Sequence, residues 1–190
     1  MTQPPADAPA KRFISAEQLL GDGFALARRI LDSGWTPTCL VGVWRGGAPV
    51  AVTVQEALAY HGVELRHAVV GAASYTGIEQ QSAHVRLWGL DTLAETLTPD
   101  DRLLVVDDVF DTGRTIEAVL NALWKVEGSK RPGLVRTAMP WYKPARNQTR
   151  FSPDYWLHET NDWLVFPHEL RGLSREDIEA NKPVDAAFFG

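Results

Sequence analysis

The chain has 190 residues, of which 45% are hydrophobic and 23% charged, an ordinary composition for a globular protein with one sizeable core. Its formal net charge of −5 argues against a general nucleic-acid-binding surface, and no apolar stretch is long enough to span a bilayer. The single cysteine, Cys39, excludes an internal disulfide, and its position in an apolar run predicts a buried thiol. The lone cysteine and the lack of an apolar signal core near Met1 predict a cytoplasmic protein.

The N-terminal segment is rich in proline and alanine, and we expect residues 1–12 to be a mobile tail. Ser15 and Gln18 have the spacing of a capping box and predict the start of a helix that ends near Gly34. Residues 39–43 are apolar and predict a first buried strand.

A glycine pair follows this strand, in the segment Arg45-Gly46-Gly47, and a second predicted helix continues to about Tyr60. Two consecutive glycines let the backbone approach a ligand closely, and a guanidinium can donate two parallel hydrogen bonds to a phosphate. Gly-Gly turns are common, so the motif gains weight only from its position at a strand end.

A polar stretch without periodicity, residues 72–82, follows a strand predicted over residues 63–71. A loop of this length is typical either of a lid over a reacting centre or of a plain surface loop. Residues 84–88 predict the returning arm of a β-ribbon, and residues 91–97 predict a short helix.

The most informative stretch is residues 103–115, where an apolar run stops at Asp107 and Asp108 and a hydroxyl-rich turn then opens a helical segment that ends near Gly128. This order predicts a buried strand, an acidic strand end, an anion-binding loop and a helix N-terminus. Free backbone N–H groups and the positive end of the helix dipole stabilise a phosphate there. Two adjacent carboxylates suit sugar hydroxyls, a divalent cation, or both.

Strands and helices alternate up to a further predicted strand at residues 134–138, which indicates an α/β fold. Its mostly parallel sheet would carry helices on both faces. Ligands of such folds bind beyond the C-terminal ends of the strands. The glycine pair, the acidic pair and the hydroxyl-rich turn all fall at such ends.

The stretch 103–115 resembles the phosphoribosyl-pyrophosphate (PRPP) loop of type I phosphoribosyltransferases, which has a hydrophobic run, two acids, two apolar residues and Asp-Thr-Gly-x-Thr. The resemblance implies that Asp107 and Asp108 hold the ribose hydroxyls, directly or through Mg²⁺. Asp111 resembles the family's base-facing aspartate, the candidate general base for the purine ring proton. The residues implied around the 5′-phosphate are Asp111, Thr112, Gly113, Arg114 and Thr115, and the direction of the Arg114 side chain stays open.

Two earlier segments also match this family. The resemblance implies that Arg45, Gly46 and Gly47 bind pyrophosphate. Ser74 and Tyr75 match the Ser-Tyr pair of a flexible loop that closes over the reacting centre, where excluding water protects the cation-like transition state.

The C-terminal third resembles the bacterial and archaeal 6-oxopurine enzymes, which act on xanthine, guanine and hypoxanthine. The resemblance implies that Lys143 contacts the 6-oxo group, Trp163 stacks on the base and Leu164 offers its backbone carbonyl. Tryptophans also fill cores, so a structural role for Trp163 stays open. Glu169 stands where relatives place an acid near a second Mg²⁺, and His168 replaces an aromatic residue, which leaves the base preference open.

We therefore expect a phosphoribosyltransferase core at residues 13–140 and a base-binding hood with a C-terminal segment at residues 141–190, together one domain. The implied activity transfers 5-phosphoribose from PRPP to hypoxanthine, guanine or xanthine, with Mg²⁺ as cofactor and a nucleotide as product. A homodimer or homotetramer is expected, with neither nucleic acid nor membrane as partner. The alternatives are the same chemistry on another nucleobase and a PRPP-binding regulator, which the acidic composition and the short segment before Ser15 disfavour.

Overall fold

The computed structural model describes residues 11–75, 84–126 and 130–190. Its helices are α1 (Ala16–Asp32), α2 (Gly47–Tyr60), α3 (Leu90–Thr96), α4 (Arg114–Lys125) and α5 (Arg175–Asn181). Its strands are β1 (Lys11–Phe13), β2 (Cys39–Trp44), β3 (Arg66–Tyr75), β4 (His84–Trp88), β5 (Arg102–Val106), β6 (Val109–Phe110), β7 (Leu134–Ala138), β8 (Trp141–Tyr142), β9 (His158–Glu159) and β10 (Trp163–Val165).

The central sheet has the strand order β4-β3-β2-β5-β7. Strand β2 pairs in parallel with β3 and β5, and β5 pairs in parallel with β7, while the edge strand β4 runs antiparallel to β3. The long crossovers that parallel pairing requires contain α2 and α4. The predicted α/β fold with a mostly parallel sheet is therefore confirmed.

The core lies on both faces of this sheet, which is why β2 and β5 are continuous apolar runs. Leu40 and Leu104 face the layer that holds α1 and α2, whereas Val41 and Val105 face the layer that holds α4. Cys39 is buried in the second layer as a free thiol, as predicted. Among the described residues, no helix is both long and apolar enough to cross a membrane.

Two smaller sheets cover one end of the central sheet. Strands β6, β8 and β9 form one of them, and β1 pairs in parallel with β10 in the other. Lys11 and Arg12 thus belong to a strand, whereas the sequence analysis assigned them to the tail. The sequence pattern did not predict strand β1 because its partners, Trp163 and Leu164, lie about 150 residues away in the chain.

The helix boundaries follow the sequence signals closely. Ser15 caps α1 by accepting a hydrogen bond from the backbone N–H of Gln18 at 3.0 Å, and Gly34 has the positive φ of 71° that ends the helical turn. Helix α3 lies one residue before its predicted span. Helix α4 ends at Lys125, and its predicted end at Gly128 lies outside the described residues.

The strand predicted over residues 63–71 begins later and extends further. It includes residues 72–75, which were expected to open the loop, because β4 pairs with them in antiparallel register from Gly71–Trp88 to Tyr75–His84. The ribbon predicted for residues 84–88 is confirmed. The rest of the expected loop, residues 76–82, lies outside the described residues.

Candidate functional site

The glycine turn lies against the acidic pair at the C-terminal edge of the central sheet. Gly42 of β2 and Val106 of β5 are partners in the parallel register, so the residues that follow each strand meet. A Cβ atom added to Gly46 would lie 2.0 Å from Oδ2 of Asp108, and one added to Gly47 would lie 2.5 Å from the carbonyl oxygen of Val106. Both positions therefore require glycine. The peptide bond between Trp44 and Arg45 is cis.

The acidic pair is withdrawn from solvent, and Asp107 and Asp108 are each 8% exposed. Burial raises the pKa of Asp107 well above its ordinary range, and repulsion from Asp108 raises that pKa further. Burial, with a further contribution from the negative charge of Glu169, raises the pKa of Asp108 to about 7. Two buried carboxyl groups in this state favour a ligand that brings positive charge or hydroxyl donors.

His168 and Glu169 approach the same acidic pair from the C-terminal part of the chain. Nε2 of His168 lies 3.9 Å from Oδ2 of Asp108, and its ring stacks on Phe166 with a centroid distance of 6.0 Å. Burial lowers the pKa of His168, the charge of Glu169 opposes that shift, and the charge of Arg45 adds to it. His168 therefore borders Asp108 and is close enough to Arg45 to respond to its charge.

The hydroxyl-rich turn forms the N-terminus of α4, as predicted. Gly113 is the N-cap residue, with a positive φ of 80°, and has no side chain that could cap α4. The first N–H groups of a helix have no partners within it and therefore suit an anion. A Cβ atom on Gly113 would lie 2.6 Å from the ring of Phe110 and 2.7 Å from the hydroxyl of Thr149. The backbone N–H of Gln148 donates to the carbonyl of Thr112 at 3.0 Å. The loop is thus shaped by packing and not by a side-chain cap.

The structure joins Asp111 of this loop to Lys143, the residue expected to contact the base. Nζ of Lys143 donates to Oδ2 of Asp111 at 3.0 Å, and Lys143 is only 3% exposed. The backbone N–H of Lys143 also donates to the carbonyl of Phe110 at 2.9 Å. The short strands β6 and β8 therefore bring together two side chains that are 32 residues apart in the chain.

Arg146 is a residue of the site that sequence reasoning missed. Its Nε lies 2.7 Å from Oδ1 of Asp111, in an ion pair and not an aligned hydrogen bond. Arg146 ends the short 3₁₀ helix Pro144–Arg146, whose N-cap residue is Lys143, so its position depends on Lys143. The only sequence signal for Arg146 was the pair of cations, Lys143 and Arg146, on either side of Pro-Ala. That signal becomes informative only when the fold places Asp111 next to both cations.

The structure also shows the exposure of the remaining predicted residues. Trp163 of β10 is 45% exposed and lies beside Nζ of Lys11, 5.7 Å from the ring centroid, whereas Leu164 is buried in the core. Arg114 is exposed, and Thr115 is partly buried in the first turn of α4.

The last two of these residues, Ser74 and Tyr75, end β3, and the loop expected to follow them lies outside the described residues.

Metal binding by protein groups alone is not favoured by the geometry. Within the ranges the structure describes, no group of three or more His, Cys, Asp or Glu side chains is arranged to hold a metal ion. Mg²⁺ commonly uses one or two carboxylates together with phosphate oxygens and water. Asp107 and Asp108 satisfy that smaller requirement.

Comparison with known proteins gives consistent results. A family model described as a phosphoribosyl transferase domain matches residues 15–173. A purine phosphoribosyltransferase from Pyrococcus horikoshii has a similar structure, with 27% identity and a TM-score of 0.65 over 87% of this chain and 97% of that one. No curated protein sequence matches significantly.

Two other solved structures are similar in fold. A hypothetical protein from Neisseria gonorrhoeae with bound ppGpp has 21% identity and a TM-score of 0.73, over 90% of this chain and 97% of that one. The xanthine-guanine-hypoxanthine phosphoribosyltransferase of Helicobacter pylori has 24% identity and a TM-score of 0.61, over 82% and 92%. At these identities the likeness extends to the fold alone.

Proposed function

Since the chain belongs to the phosphoribosyl transferase domain family, we propose that it transfers the phosphoribosyl group of PRPP to a 6-oxopurine and releases pyrophosphate. The observation that carries the proposal is the contact of Lys143 with Asp111 beside the N-terminus of α4. It puts a buried cation and a carboxylate, the two groups that a 6-oxopurine needs, next to an anion-binding loop. The identity of the acceptor base is inferred from the Lys143–Asp111 pair, whereas the identity of the donor substrate is inferred from the loop at the start of α4.

The donor half would bind PRPP mainly through backbone and carboxylate groups. Thr112, Gly113 and Thr115 would hold the 5′-phosphate with N–H and hydroxyl groups at the start of α4. Asp107 and Asp108 would accept hydrogen bonds from the ribose hydroxyls, which offsets part of the cost of burying their carboxyl groups.

The pyrophosphate would lie against the glycine turn. Arg45 would donate to it, and the absence of side chains at Gly46 and Gly47 lets the backbone come close. These groups stabilise charge that develops on the leaving pyrophosphate, which is the main task in a reaction led by bond breaking.

Mg²⁺ fits the acidic pair as a cation shared with the substrate. The buried carboxylates Asp107 and Asp108 would hold it, and Glu169 adds negative charge nearby. The chemistry that such a cation supplies is neutralisation of the departing pyrophosphate.

The acceptor half would position the purine by hydrogen bonds. Nζ of Lys143 has three N–H donors, so it could donate one hydrogen bond to the 6-oxo group and another to Asp111. Asp111 would then accept the proton of the ring nitrogen that attacks the ribose, and Arg146 would keep one carboxylate oxygen in place. Trp163, whose indole is half exposed, would stack on the base.

One panel of assays tests the proposal. The purified protein is incubated with PRPP, Mg²⁺ and one nucleobase at a time, and pyrophosphate release is followed. We expect release with hypoxanthine, guanine or xanthine and not with uracil or orotate. Release with adenine or a pyrimidine alone would assign the same chemistry to another base.

A second candidate is a nucleotide-binding regulator, and the structural neighbour with bound ppGpp is the observation that favours it. The same panel separates the two functions when PRPP and ppGpp binding are measured by calorimetry. Binding of either compound without pyrophosphate release on any base would replace the transferase with the regulator.

A further inference from the structure

A tight turn, Phe166–Glu169, carries His168 and Glu169 to the acidic pair. The backbone N–H of Glu169 donates to the carbonyl of Phe166 at 3.0 Å, and Oε2 of Glu169 accepts from the N–H of Phe166, also at 3.0 Å. Because both ends of the turn are tied, its orientation as a unit decides where the two side chains lie relative to Asp108.

Lys182 binds this turn from the C-terminal segment. Its Nζ donates to the carbonyl of Phe166 at 2.5 Å and lies 5.9 Å from the ring centroid of Phe13. The residue is only 8% exposed. Burial of an ammonium is costly unless it is hydrogen-bonded or paired, and here the carbonyl of Phe166 and the ring of Phe13 offset part of that cost. Its charge also faces Glu169, which raises the pKa of Lys182 against the lowering caused by burial.

The surrounding segments hold Lys182 in place. Helix α5, which ends one residue before it, begins with a capping box between Ser174 and Asp177, and Ile178 is buried. Asp177 also pairs with Lys11 of β1 at 2.6 Å, so the two terminal segments are joined. Phe13 and Lys182 both lie outside residues 15–173, the part that matches the family model. The support of the turn therefore comes from segments beyond the common domain.

We propose that Lys182 is a positioning residue for the pyrophosphate side of the site, an inference that rests on the proposed function. It fixes the Phe166–Glu169 turn so that His168 and Glu169 face Asp108. It also supplies positive charge behind a cluster of acids. Lys182 acts through the turn and does not touch the substrate.

The expected effect falls on PRPP and not on the purine. His168 and Glu169 border Asp108 and, through Asp108, the Gly46 turn of the donor half. Lys143 and Asp111 are held instead by β6, β8 and the segment that follows them. Movement of the turn would disturb the donor half and leave the acceptor pair in place.

The test compares Lys182→Met with Lys182→Arg and with Lys125→Met, a control at an exposed lysine of α4. We expect Lys182→Met to raise the KM for PRPP and its calorimetric Kd about tenfold or more, the usual scale for loss of a group that orients ligands. The KM for the purine should stay unchanged. Lys182→Arg should restore most of the PRPP affinity, since it keeps the charge and the donor, and Lys125→Met should match the wild type.

Several outcomes would overturn the inference. Wild-type PRPP constants in Lys182→Met would exclude the positioning role, and an equal rise in both KM values would assign Lys182 to general stability. If Lys182→Met does not fold, the same constants are measured for Lys182→Gln, which keeps a donor without charge. Pyrophosphate release by the wild type separates the two failures. An inactive wild type overturns the proposed function together with the inference, whereas an active wild type with an insensitive Lys182 variant overturns the inference alone.

Discussion

The two halves of the candidate site are built in different ways. The donor half consists of the edge of the central sheet and the start of α4, where Asp107 and Asp108 are buried and Gly46 and Gly47 pack against them without space for a Cβ atom. The acceptor half consists of short strands in smaller sheets, where Lys143 is buried but Trp163 is half exposed. The first half is fixed by backbone packing, and the second depends on a few side chains.

This difference predicts how well each half tolerates substitutions. A backbone cradle at a parallel sheet edge tolerates few substitutions because every added atom meets main chain or a buried carboxylate. The hood is built from two- and three-residue strands, so side-chain pairs such as Lys143 with Asp111 add to the few ladder hydrogen bonds that each strand can make. Changes in the donor half should weaken PRPP binding, and changes in the acceptor half should alter turnover or the affinity for the base.

The largest effect is expected for Asp111→Asn. If Asp111 is the general base, as proposed, its loss should lower kcat by about 10² to 10⁴-fold. The Kd for PRPP should stay nearly unchanged, because the loop before α4 keeps its backbone donors. Steady-state pyrophosphate release and calorimetry measure the two constants. The exposed Asp100→Asn is the matched control. Unchanged turnover in Asp111→Asn would remove this residue from the chemistry.

The next effect is expected for Gly47→Ala, which tests the donor half directly. The new methyl group would meet the carbonyl of Val106 at 2.5 Å and Cα of Asp107 at 2.7 Å, both of which are backbone. We expect PRPP affinity to fall about a hundredfold, since displacement of binding groups by an ångström has that scale. The control is Gly21→Ala in α1, where nothing lies within 4 Å. Wild-type affinity in Gly47→Ala would contradict the packed-cradle description.

A smaller effect is expected for Lys143→Ala. Removal of a charged donor should raise the KM for the oxopurine about tenfold, with little change in the KM for PRPP. Thermal unfolding of the same variant shows whether the loss of the buried ion pair also destabilises the hood. Equal changes in both KM values would indicate a structural role for Lys143 and would show that the two halves do not act independently.

The smallest effect is a pH dependence of stability that arises in the donor half. Burial raises the pKa of Asp108 to about 7, whereas an unfolded aspartate titrates near pH 4, about its ordinary value. Between these values the folded protein binds more protons than the unfolded chain, so stability falls as pH rises through this window and levels off above it.

This dependence is measured as the Tm of the protein at pH 5 and pH 8, without Mg²⁺ or PRPP. We expect the Tm to fall by about 5 °C over this interval, and by less in Asp108→Asn, which removes one of the two titrating carboxyl groups. Equal slopes for the two proteins, or a Tm that rises with pH, would show that the buried pair does not titrate in this range.

Much of the donor half was predictable because its residues are close together in the sequence. The strand, acidic pair, turn and helix of residues 103–115 are contiguous, and each part has its own signal in the sequence: apolar residues for burial, carboxylates at a strand end, and a hydroxyl-rich turn before the helix. The glycine pair and the capping residue Ser15 were recognised for the same reason. The roles of these residues in binding stay predictions.

The acceptor half was less predictable because its contacts are distant in the chain. The position of β3 was wrong at both ends, since its antiparallel partner β4 sets its length. Arg146 was missed because its meaning depends on Asp111, and Lys182 was missed because its partner Phe166 lies 16 residues before it. The pairing of β1 with β10 had no local pattern at all.

The sequence by itself therefore determined the α/β class, the order of the main elements and the turn that opens α4, since periodicity, capping and turn residues act within a few neighbouring positions. The tertiary structure alone decided that the glycine turn closes on Asp107 and Asp108, that Lys143 and Arg146 share Asp111, and that Lys182 donates to the carbonyl of Phe166. These are pairings of buried charges and close-packed backbone across the fold. Their stability depends on desolvation and distance, which exist only after the chain has folded.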